Sequence, residues 1–141
     1  VVTAALHLAR PGESFAQTQQ AVGPLVTSEC NIFALSVKDP HELPADIRDD
    51  LMKFRDAYRT PEAPIETRHL DLYSGYCAEF KPEHVPLVTE RIVKETTLTG
   101  SAEELQVRIR KMAAAGVSQV AIAGDRSVMD ELNRSVIGQL G

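Results

Sequence analysis

Two apolar runs bound the chain. Val1-Val2-Thr3-Ala4-Ala5-Leu6-His7-Leu8-Ala9 and Val117-Ser118-Gln119-Val120-Ala121-Ile122-Ala123 each read as a β-strand. The near-continuous apolar character of the first suits a parallel strand covered on both faces, with Ala5, His7 and Ala9 on one side and Leu6 and Leu8 on the other. These two strands are expected to lie side by side and run the same way. Two are too few to close a barrel, so the pattern predicts the closing piece of a larger α/β enzyme.

Between them the apolar period becomes helical. Arg10-Pro11-Gly12-Glu13 breaks the first strand, and a helix is predicted from about Ser14 to Val37 with Val22, Leu25, Val26, Cys30 and Phe33 inward. Gly23-Pro24 should kink or divide it, because proline lacks an amide proton and crowds the preceding turn. A second helix opens near Pro44 and carries Ile47, Leu51, Phe54 and Tyr58 on one face, with Asp46 to Asp56 supplying a charged, solvated face. Residues 59 to 88 have no readable period, and long irregular stretches in α/β folds tend to be functional insertions.

The last third is the most strongly specified. Thr89 is expected to cap a short helix through Glu95, and Thr96-Thr97-Leu98-Thr99-Gly100 then leads into Ser101-Ala102-Glu103-Glu104, a capping box. Leu105, Ile109 and Met112 face inward, basic residues follow toward the negative helix end, and Gly116 is the C-terminal cap. A final helix carries Val128, Leu132, Val136 and Leu140.

Composition narrows the function classes. The chain has 141 residues, 43% hydrophobic and 25% charged, a net charge of -5 and no Trp. That is the profile of a folded globular domain with no basic stripe or stacking platform, so nucleic acid is not an expected partner. No apolar run reaches the roughly 18 residues of a membrane span and no basic leader precedes Val1, so no membrane partner and a cytoplasmic location are expected. The strand-like start without Met reads as a chain cut rather than begun. Cys30 and Cys77 are far apart and the histidines His7, His41, His69 and His84 are scattered, so reduced thiols and no metal site are expected. His7, alone in an apolar strand, reads as a hydrogen-bonded core residue.

Ligands of parallel α/β folds sit at the carboxyl ends of the strands, which points to the loops starting at Arg10 and Gly124. Gly124, Arg126 and Ser127 suit an anion at a helix start, although Asp125 suits a cap better. The hydroxyls of Thr96, Thr97, Thr99 and Ser101 are a second approach to a helix start. No Walker loop, dinucleotide fingerprint, nucleophile elbow or zinc motif is present.

Three stretches resemble the C-terminal part of the luciferase-like monooxygenase superfamily, which includes relatives of methylenetetrahydromethanopterin reductase. They are the opening strand with Arg10-Pro11-Gly12-Glu13; His69-Leu70-Asp71-Leu72-Tyr73-Ser74-Gly75-Tyr76 with Pro82-Glu83 and Val88-Thr89; and Thr96 to Leu105 continuing through Ala115 to Ile122. The resemblance implies that residues 1–141 form a single partial domain, the last two strands and associated helices of a (β/α)8 TIM barrel. It further implies a flavin- or deazaflavin-dependent oxidoreductase or monooxygenase acting on a small organic substrate, with FMN or a deazaflavin coenzyme as cofactor. Gly75, Tyr76, Thr99 and Gly100 are the residues expected to line the cofactor or substrate cavity, and no catalytic acid or base is assigned. Tyr73 and Tyr76 stand where many relatives have His, and if those histidines touch substrate in the relatives, the substrate class does not transfer. The alternative is a non-catalytic barrel remnant that dimerises or completes another chain. Either way a partner is expected, a second copy or the N-terminal barrel portion, because two parallel strands leave open edges.

Overall fold

A computed structural model describes residues 2–57, 64, 66–67, 70, 75–123 and 126–140. The chain falls into two compact units, one of Val1–Val22 with Thr96–Gly141 and one of Gly23–Glu95.

The first unit holds a three-stranded parallel sheet flanked by helices: β1 (Val2–Leu8), β2 (Thr97–Gly100) and β3 (Val120–Ala123), in the order β2-β1-β3. Val2 to Ala5 pair with Val120 to Ala123, so the opening and closing strands are parallel neighbours, as their pattern predicts. The strand β2 was not expected. It pairs Ala5 to Leu8 with Thr97 to Gly100 on the other side of β1. Four residues are too few to display alternation, and the threonines read as a turn although β-branched residues favour strands. Consecutive strands of a closed barrel are neighbours; here β1 lies between β2 and β3, as where the strand order reverses in a doubly wound sheet.

One sheet face is apolar. Ala4, Leu6 and Leu98 form a core with Leu105 of α4 (Ala102–Ala114; numbering in chain order, after α1 to α3 below) and with Leu132 and Val136 in and after α5 (Arg126–Ser135). Ile109, Met112, Val120, Ile122 and Val128 pack around it. Each fully buried Leu contributes about 1.5–3 kcal/mol by leaving water. By alternation the opposite face carries Ala5 and His7 of β1 beside Thr97 and Thr99 of β2.

The capping box of α4 is present: Ser101 Oγ accepts from the Glu104 amide at 3.3 Å, and the Ser101 amide donates to Glu104 Oε2 at 2.8 Å. At its other end Gly116, at φ +91°, donates to Ala113 O, and Val117 donates to Met112 O, the pair of bonds of a Schellman motif. The last helix is shorter than its stripe suggests; it ends at Ser135, and a 3-10 turn (Ile137–Gln139) follows before Leu140.

In the second unit, α1 (Phe15–Ser36, whose first turns belong to the first unit) runs through Pro24 without the predicted division. Pro24 removes one helical hydrogen bond, but Ser28 Oγ donates to Pro24 O at 2.8 Å. Gly23 is there for space: a Cβ on it would meet the Phe80 ring at 2.6 Å. The buried stripe is Val22, Val26, Cys30 and Ala34, whereas Phe33, expected inward, is 46% exposed. Thr27 Oγ1 and Asn31 Oδ1, one turn apart, are buried with no partner among the described residues.

Helix α2 (Arg48–Ala57) buries Leu51 and Phe54, with Ile47 just before it. Its charged face is not simply solvated. Asp50 is 3% exposed and binds Lys53 Nζ at 2.9 Å and, on α3 (Glu90–Thr96), Arg91 Nε at 3.0 Å. Burial works against the Asp50 charge, but the two cations outweigh it and hold the carboxyl below its ordinary range. Arg48 donates to the carbonyls of Pro40 and Leu43, tying down the turn before the helix. Thr89 caps α3 through Oγ1, which accepts from the Ile92 amide. Tyr58, His69, Tyr73, Gly124 and Asp125 lie outside the described residues. Among those described, no helix is long and apolar enough to cross a membrane.

Candidate functional site

The parallel strands bring their carboxyl ends to one edge of the sheet, and β1 there continues into Arg10-Pro11-Gly12-Glu13. Pro11 and Gly12, the latter at φ +79°, occupy the central positions of a turn closed by the Glu13 amide donating to Arg10 O at 3.0 Å. The turn returns Glu13 to the strand it has just left. Its carboxylate accepts three hydrogen bonds: from Arg10 N–H at 3.0 Å, from Thr18 Oγ at 2.7 Å and from His7 Nε2 at 2.5 Å.

The side chain of Glu13 is 10% exposed. Burial by itself would raise its pKa, but the Arg10 amide, the Thr18 hydroxyl and His7 together outweigh that and hold it down at about 2. Glu13 is therefore a carboxylate at any ordinary pH, and His7 Nε2 carries the proton in their bond. The other ring nitrogen, Nδ1, then has a lone pair when His7 is neutral and an N–H when it is protonated.

His7 is hydrogen-bonded, as its sequence context suggests, but it is not a core residue. Its side chain is 22% exposed and lines a cleft of about 300 Å3 with Leu8, Arg10, Glu13, Gln17, Val128 and Glu131. On the other side of Arg10 a second cleft of about 390 Å3 is lined by Pro11, Ser101, Glu103, Glu131 and Ser135 among others. A nearly buried, ionised carboxylate orienting a partly exposed imidazole is an arrangement suited to proton transfer and polar recognition.

The four residues expected to line a cofactor cavity fall in two places. Thr99 and Gly100 end β2 in the first unit, and Gly75 and Tyr76 begin a turn in the second, where Gly75 O accepts from the Ala78 and Glu79 amides. The Thr99 hydroxyl is bonded to that of Thr97 at 2.6 Å, and a Cβ on Gly100 would come within 2.9 Å of Glu104 Oε2. Tyr76 is 42% exposed. At the start of α4 the Ser101 amide is taken by the Glu104 carboxylate and the Glu104 amide by Ser101 Oγ. Arg126 and Ser127 begin α5, but the loop before it is not among the described residues.

Sequence reasoning passed over Glu13 although a signal was there. Ser14-Phe15-Ala16-Gln17 is itself a capping box: the Ser14 amide and hydroxyl donate to Gln17 Oε1, both at 2.9 Å, and the Gln17 amide donates back to Ser14 Oγ at 3.4 Å. With Ser14 and Gln17 starting the helix, Glu13 is free for another partner.

Fold and cleft define an α/β protein with a parallel sheet and a polar cleft at the strand ends. Comparison of the chain with protein-family models, with curated proteins and with solved structures finds no match.

Proposed function

We propose that the chain is the C-terminal portion of a flavin- or deazaflavin-dependent oxidoreductase of the luciferase-like kind, acting on a small organic substrate. The observation that carries this reading is the polar cleft of His7, Glu13 and Arg10 at the carboxyl end of the central parallel strand, the place where α/β folds bind ligands. The motifs at Arg10 to Glu13 and at Thr96 to Leu105, both beside that edge, add the family resemblance. The order β2-β1-β3 is not the consecutive order of a barrel, so the reading rests on the strand ends and not on closure. The cofactor supplies redox chemistry and this chain orients substrate and excludes water.

Thermal scans of the purified chain with FMN and with a deazaflavin coenzyme test the proposal. Binding at a hundredfold excess over Kd adds about 2.7 kcal/mol, a rise in Tm of roughly 5–10 °C for a chain of this size. The same scans on the chain joined to its upstream coding sequence complete the test, and no shift in either form rejects the cofactor assignment. The second reading, an interaction module, draws on the open edges of β2 and β3, the outer strands of the described sheet. It expects association in sedimentation without any response to flavin.

A further inference from the structure

The cleft beside His7 also says what kind of molecule suits it. We propose that it binds a small monocarboxylate with a short apolar body, held by the Arg10 guanidinium beside the His7 imidazole, with Glu13 as the residue that positions His7. The Arg10 guanidinium has no hydrogen-bond or ion-pair partner among the described residues, although its backbone is fixed by the turn. Gln17 Oε1 is taken by Ser14, which leaves its amide N–H groups as donors on the same wall. Leu8 and Val128 supply apolar surface for a short carbon chain. The volume of about 300 Å3 admits a compact acid.

Charge selects among anions. Arg10 is positive, Glu13 is committed to three donors, and Glu131 on α5 is negative; Gln17 and Thr18 on α1 and Thr99 on β2 are uncharged. Glu131 therefore works against a phosphate dianion more than against a monocarboxylate. Glu13 holds the His7 ring through Nε2 and so fixes the imidazole on the wall of the cleft. The same cleft carries the proposed function, but butyrate binding needs no cofactor, so its failure is distinct from a failure of the melting scans.

Butyrate and, in parallel, inorganic phosphate are titrated into the whole chain carrying 15N-labelled imidazole. Butyrate is expected to shift the His7 ring signals saturably, with phosphate weaker. The exposed change Arg10→Gln should weaken butyrate about tenfold or more through loss of a charge-assisted contact. Unmoved His7 signals, unchanged affinity in Arg10→Gln, or phosphate binding as tightly as butyrate would each overturn the assignment.

Discussion

Helices α1 and α4 both start at the carboxyl end of a parallel strand, both start with a capping box, and both have a glutamate bonded to a backbone amide three residues earlier. Their glutamates nevertheless do different work. Glu104 is exposed and bonds only within its own box, to Ser101, whose amide and hydroxyl hold its pKa below the usual value. Glu13 lies one residue before its box, is nearly buried, and adds Thr18 and His7 to the local bond with Arg10. The same short-range chemistry thus yields a helix start in one place and an imidazole-orienting carboxylate in the other. What separates them is burial and a partner from the strand.

The sharpest way to break the comparison is to remove each carboxylate. Glu13→Ala strands three donors at a nearly buried position and is expected to cost about 2–3 kcal/mol, read as a lower urea midpoint by circular dichroism. Glu104→Ala should cost only about 0.5–1 kcal/mol, the worth of an exposed cap. Equal costs would mean that His7 and Thr18 add nothing to Glu13.

Acid should separate them next. A carboxyl with its folded pKa lowered to about 2 adds stability that is fully present above its unfolded value near 4.5 and is lost as pH falls toward 2. Its size is on the order of 1–3 kcal/mol. Denaturant midpoints of the wild type and of Glu13→Gln, measured through this range, should therefore converge. Parallel curves would show that Glu13 is not the titrating group.

The smallest effect lies at the far end of α4. Gly116→Ala meets no atom within 4 Å, so its cost is that of the left-handed backbone alone, about 1 kcal/mol. A neutral result would show that the Schellman turn relaxes without loss.

Much of the architecture was legible from local pattern. The pairing of β1 with β3, the capping box at Ser101, the cap at Thr89, the glycine at 116 and the stripe Leu105, Leu132 and Val136 all follow from period and terminus chemistry. Legibility failed where long-range contact decides. Leu98 belongs to the core, but a four-residue strand shows no period by itself. Asp50 looks like any residue of a solvated face until Arg91, 41 positions on, reaches it. Gly23-Pro24 reads as a break, and the Phe80 ring explains only the glycine.

For the candidate site the division is similar. The sequence by itself determined that two apolar strands flank helices with defined starts and stops, because those signals lie within a few residues of one another. Only the tertiary structure decided that β1 is the central strand, that Glu13 folds back onto His7, and that Arg10 and Glu131 share a cleft. Those relations join residues from separate elements. Burial and approach are set by packing, which no local spacing along the chain records.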